Sequence, residues 1–285
     1  MGTRDPEKVH VTRKQPGFFY AAVRIFDLSL GEMLWSRRTI FMALVVGLPV
    51  VIAVIVRLLF ELGAPAMRVN NSQVTGPVIF GLMIWVFFIR FSVPVLGVFY
   101  GTSLIADEVE DKTITYLFSR PIPRGAVLVG KYLAYLACTI LVVLPAVICV
   151  WLLIVPIGGS LGAGFPDLLV DLGLLALGLA VYGAVFALIG AALNRPLLIG
   201  LLFVFGWETM VMTIPGSLKR FSVAYYLQGL VPHAMPADSP LSIIQTLFQE
   251  NMGVAESLAW MALIGGLSLW LGARAVGRRE YVLEQ

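Results

Sequence analysis

Asp107, Glu108, Glu110 and Asp111 place four carboxylates within five residues. Carboxylates so spaced hold a divalent cation when further ligands join them. Asp107 and Asp111 would share one helix face at i, i+4. The two histidines, His10 and His233, lie far away in sequence, and no H-E-x-x-H pair or serine–histidine arrangement accompanies the cluster. The acidic residues therefore read as charges arranged for contact with a partner, with a metal or phosphotransfer site as the competing reading. A second near-match lies just downstream. The run from Gly125 to Lys131 fits G-x-x-x-x-G-K, but Tyr132 stands where a Ser or Thr would bind Mg²⁺. It also follows a proline-rich turn and opens an apolar stretch, where a phosphate loop would follow a strand. The chain is thus expected to bind no ATP, metal or other cofactor, and to draw any energy from another polypeptide.

The elements that carry these residues are apolar. The chain is 59% hydrophobic and 13% charged, against about 25% charged in soluble domains. Six apolar runs approach the roughly 20 residues that cross a bilayer: 40–60, 78–105, 127–155, 168–193, 197–214 and 257–276. The expected fold is an all-α polytopic membrane protein with six transmembrane helices forming a domain over residues 40–276. Pro49, Pro94 and Pro145 fall inside three of the runs and mark bends. Cys138 and Cys149 would lie about 16 Å apart along one helix, too far for a disulfide. The charged N-terminal stretch has no early apolar run, so no cleavable signal peptide is expected. A net charge of +3 is too small to suggest nucleic acid.

Fifteen Lys and Arg residues flank the runs on one side and three on the other. This asymmetry places both termini and the 106–131 connection in the cytoplasm. Residues 1–16 are expected to be a disordered tail and 277–285 a cytoplasmic tail. Residues 17–39 mix aromatic and aliphatic side chains with Arg24, Asp27 and Glu32, as an amphipathic helix in the membrane interface does. The external segment 216–254 contains an apolar patch and the run HAMPADSP, and is expected to lie on the outer leaflet or re-enter it. Small residues at Gly183, Ala187 and Ala191, and at Ala180 and Ala184, would let the fourth helix approach its neighbours closely.

The 106–131 connection carries more than a solvated loop needs. Asp107 is placed to cap a short helix over 107–118, with Glu108, Glu110 and Asp111 in its first turn. Lys112 and Thr113 follow, and Ile114, Leu117 and Phe118 supply an apolar face. Pro121 and Pro123 end the helix, and Arg124 and Lys131 bracket the next span. The pattern of Glu108, Glu110, Thr113, Leu117, Ser119, Pro121 and Arg124, then Gly130, Lys131, Tyr132, Leu133 and Ala134, resembles the first cytoplasmic loop of type-2 ABC exporter permeases. The likeness extends to the permease of the nitrous-oxide-reductase maturation system. Lys112 departs from it, where the family usually has glycine. The resemblance implies that 107–118 is a coupling helix, with Asp107, Glu108, Glu110, Asp111, Lys112, Thr113, Ile114, Leu117, Phe118 and Arg124 forming the contact with a cytoplasmic ABC ATPase. It implies that the ATPase binds the ATP and Mg²⁺. It also implies a homodimer or pseudo-symmetric heterodimer of permeases in a bacterial plasma membrane. Membrane lipid and an external accessory protein complete the expected partners.

Within the runs, Arg57 lies near an outer end, where it can snorkel. Arg90 and Glu208 lie near mid-membrane, where charges are expensive and face a partner or a cavity. They are expected either to pair with each other or to line a pathway. Two other function classes stay open: an intramembrane lipid-modifying enzyme using the acidic cluster, and a scaffold that recruits a soluble protein. The sequence does not identify a cargo.

Overall fold

The structure, a computed structural model, describes residues 17–63, 68–69, 72–73, 75–110, 123–213, 217–231 and 253–278. Helix α1, Phe18–Leu34, precedes α2, Arg37–Glu61. The break between them is built by side chains. Ser36 Oγ and Thr39 Oγ1 both donate to the Met33 carbonyl, at 3.1 and 2.6 Å, which satisfies an acceptor left open at the end of α1. Along α1, Ala21, Ala22, Ile25 and Ser29 are buried, while Phe19, Leu28 and Trp35 are exposed. The buried row lies on the first turns of the third span, where Gly130 leaves so little room that a Cβ would stand 2.6 Å from the Ala22 carbonyl oxygen.

A small antiparallel hairpin, β1 Arg68–Val69 with β2 Ser72–Gln73, follows α2. With two residues per strand it leaves the fold all-α. The second span, α3, is one composite helix running from Gly76–Met83 to Ser103–Glu110. Its middle is not α-helical: Ile84–Ser92 and Gly97–Gly101 are π-helical, with Val93–Leu96 between them. Pro94 accounts for the first of these. It has no N–H for the carbonyl four residues earlier, and its ring clashes there. Membrane helices absorb such a lesion by local π widening.

The third span, α4, is Arg124–Ile154, and the fourth, α5, is Leu161–Ala192. Next comes α6, made of Pro196–Leu201, the π-helical Leu202–Glu208, and Thr209–Thr213. A 3₁₀ turn, Ser217–Phe221, leads into the short α7, Val223–Gly229. Helix α8, Val254–Arg278, closes the described chain. Among the described residues five helices are long and apolar enough to cross a membrane, and Pro196–Val211 is a shorter apolar helix. At about 1.5 Å per residue it reaches about 24 Å, short of the roughly 30 Å hydrocarbon core.

The core seam runs between α3 and α5. Gly97 and Gly101 of α3 lie under Tyr182 and Phe186 of α5, with a hypothetical Cβ at 2.8 Å from each Cβ opposite. Lower on the same seam the roles reverse, and Gly190 of α5 lies against the Thr102 backbone of α3. The small-residue row of α5 is therefore a backbone-approach surface, as its spacing suggests. Helix α4 joins from the other side. Tyr132 and Tyr135 donate to the carbonyls of Ala180 and Leu179, at 2.8 and 3.0 Å, and Gly183 makes room for the Tyr135 ring. Cys138 is buried and Cys149 exposed, both as free thiols.

Candidate functional site

Two groups of charged residues stand out against this apolar frame, one around Asp107–Glu110 of α3 and one at the junction of α5, α6 and α7.

At the first, Asp107 is not the cap of a new helix. The helix Ser103–Glu110 runs through it, so Asp107, Glu108 and Glu110 continue the second span. No glycine or proline separates Ile105 from Glu110, and the run Ala-Asp-Glu-Val-Glu has enough helix propensity to continue. Lys131 Nζ donates to Glu108 Oε1 and bridges α4 to α3. The side chains are only 12% and 20% exposed, Lys131 and Glu108 respectively, so water screens the pair less than a surface bridge. Asp107 is partly buried, and Arg124, the first residue of α4, is exposed at the same end. Glu110 is the last described residue on this helix. Asp111, Lys112, Thr113, Ile114, Leu117 and Phe118 lie outside the described residues, as does most of the 107–118 segment. Residues 1–16, 232–252 and 279–285 also lie outside them. Gly125 to Lys131, the rejected phosphate-loop match, forms the first turns of α4, and the Tyr132 hydroxyl is engaged with Ala180.

The second group centres on Glu208, 3% exposed. Tyr182 Oη of α5 donates to its Oε2 at 2.6 Å. Its Oε1 accepts from Ser222 Oγ at 3.3 Å and from the Ala224 amide at 3.4 Å. Glu208 thus satisfies amides at the start of α7 from another element, as an N-cap side chain would from within. Ser222 is at the N-cap position and makes no cap bond itself, which leaves its hydroxyl for Glu208. Helix α7 is pulled into the bundle: Val223 to Leu227 are buried, and Leu227 packs beside Gly178 of α5 and Val93 of α3. Both are mid-helix positions. Residues 223–227 therefore fold into the bundle here.

Arg90, on the π-helical stretch of α3, is partly exposed and lies over the Trp85 ring, 5.9 Å from its centroid. Among the described residues it is not hydrogen-bonded to Glu208. Arg57, near the end of α2, donates to Glu61 at 2.9 Å. The sequence reading passed over Asp171, which is 1% exposed within α5, and Lys219, which is 7% exposed before α7. Both charges could have been found by listing every ionisable residue inside or beside an apolar run. Among the described residues no group of three or more His, Cys, Asp or Glu could hold a metal ion.

A helical bundle with membrane-length spans, an acidic–basic clasp at one end and a buried carboxylate holding an inward-folded segment defines a multi-pass integral membrane protein. Residues 37–271 match the model of the ABC-2 family of transporter proteins, and the chain belongs to that family. No curated protein matches it. As an ABC-2 permease the chain is a transport subunit and is not itself catalytic, and membership implies association with an ABC ATPase subunit.

Proposed function

We propose that this chain is the membrane-spanning subunit of an ABC exporter, driven by a separate cytoplasmic ATPase that binds the ATP and Mg²⁺. The ATPase docks on the α3–α4 connection, with Asp107, Glu108, Glu110, Asp111, Lys112, Thr113, Ile114, Leu117, Phe118 and Arg124 as its contact. Two permeases, identical or homologous, enclose the pathway in a bacterial plasma membrane with both termini in the cytoplasm. The observation that carries the reading is the Lys131–Glu108 clasp. It ties the end of α3 to the second turn of α4, so a push on the connection moves both spans together. The inward-folded α7 lies at the opposite end and is held by Glu208, so motion of α6 reaches the external face.

The test is co-purification with the ATPase encoded beside this chain, comparing wild type with Glu110→Arg plus Leu117→Asp. The expected result is a complex with nucleotide turnover that the double variant loses while its membrane domain stays folded. A complex indifferent to both substitutions refutes the docking site.

A further inference from the structure

Arg90 lies about halfway along the 33-residue helix Gly76–Glu108. A guanidinium at that depth is expensive unless something neutralises it. Its described contact is the Trp85 ring, and among the described residues no hydrogen bond or ion pair holds it. Its neighbour Phe91 is 37% exposed, so this stretch of α3 opens outward from the single chain.

Among the described residues the nearby carboxylates do not supply the missing charge. Glu208 is buried with its oxygens turned to Tyr182, Ser222 and Ala224, and Asp171 is 1% exposed. The same described residues on a second copy would be equally enclosed. Asp167 is exposed, but it lies six residues from the start of α5, about 9 Å of rise, whereas Arg90 lies fourteen residues from the start of α3, about 21 Å. Its carboxylate sits too near the outer face to meet Arg90.

We infer that Arg90 receives an anionic group carried by the transported molecule, so that the cargo is an anionic amphiphile with a phosphate or carboxylate head. The inference rests on the pathway reading above. Arginine's planar fork accepts two oxygens of such a group at once, and Trp85 stacks beneath the guanidinium and limits its rotation. The apolar surface around Phe91 accommodates the rest of an amphiphile.

The test uses the full chain in phosphatidylcholine nanodiscs, without the ATPase. Phosphatidate with dibrominated acyl chains is titrated in, and tryptophan quenching is read against the same titration with dibrominated phosphatidylcholine. The expected result is saturable extra quenching by phosphatidate. Arg90→Met should weaken it about tenfold, the loss of one charge-assisted contact, while Arg90→Lys weakens it less. Arg274→Ala should leave it unchanged. Arg274 lies over Trp270 at 5.2 Å, a similar pairing at the opposite end of the bundle. Relief of quenching by millimolar inorganic phosphate supports the anion site but assigns it to a soluble anion. Equal quenching by the two lipids, or equal saturation in wild type and Arg90→Met, overturns the inference. Should Arg90→Met fail to fold, Arg90→Gln carries the same expectation. Failure here leaves the ATPase complex untouched, and loss of that complex leaves this binding assay standing.

Discussion

Gly190→Ala tests whether α3 and α5 meet backbone to backbone. A Cβ at Gly190 would stand 2.3 Å from the Thr102 carbonyl oxygen and 2.9 Å from its carbonyl carbon. Neither atom can swing aside as a flexible side chain could, so the helices must part by about 1 Å to recover ordinary contact. A gap of that size forfeits about a quarter to a half of each atom-pair well of about 0.1–0.2 kcal/mol. Over on the order of 30 atom pairs along the Gly97, Gly101 and Gly190 seam, the loss is about 1–2 kcal/mol, within the usual range for overpacking. That should lower the midpoint of thermal unfolding in detergent by about 3–6 °C, read by loss of the monodisperse peak on size-exclusion chromatography. Gly173→Ala, where a Cβ meets nothing within 4 Å, is the matched control and should be neutral or slightly stabilising. Equal melting of the two variants would refute the close approach.

At the Glu108–Lys131 clasp, Glu108→Lys or Lys131→Glu alone should cost about 1–2 kcal/mol, between the values for exposed and buried pairs, and the double swap should recover part of it on the same melting assay. Tyr182→Phe and Glu208→Gln should each destabilise, and their double-mutant cycle should return a coupling of about 1 kcal/mol, the scale of hydrogen bonds between membrane helices. A coupling of zero would mean that the 2.6 Å contact carries no energy. Gly130→Val should lift α1 from α4, because a Cβ there already meets Ile25 Cβ at 2.9 Å. The readout is faster proteolysis between Trp35 and Arg38 at unchanged global melting.

Much of the bundle was legible because hydrocarbon selects for composition. Each apolar run became a helix, and Pro94 announced the distorted middle of α3, whereas Pro49 and Pro145 sit inside helices that stay α throughout. Other features were hidden for physical reasons. Helix α5 begins at Leu161, not 168, and carries Pro166 as its sixth residue, a proline within a membrane-length helix of the kind such helices tolerate. Asp107 looked like a cap because acidic residues favour helix starts, but it lies inside Ser103–Glu110, where Lys131 pairs with Glu108. Pairing Arg90 with Glu208 from depth alone ignored rotation about the helix axis. A π stretch changes that rotation, and it leaves no periodicity signature in nine residues. The role of Ser222 and Ala224 was invisible, since an amide acceptor fourteen or sixteen residues earlier has no local signal.

The π-helical stretch Ile84–Ser92 also bears on how this chain tolerates changes in length. A π ring closes over one more residue than an α ring, so the stretch stores surplus chain without altering the faces on either side of it. A variant lacking one residue there could tighten into ordinary α geometry and still present Gly76 to the turn after α4, where its amide meets the Ile157 carbonyl at 2.6 Å, and Glu108 to Lys131. The same deletion in the uninterrupted α4, between Tyr135 and Val150, has no slack to absorb. It would turn every later side chain by about 100° and swing Trp151 away from Phe165, whose ring centroid lies 6.3 Å from its own.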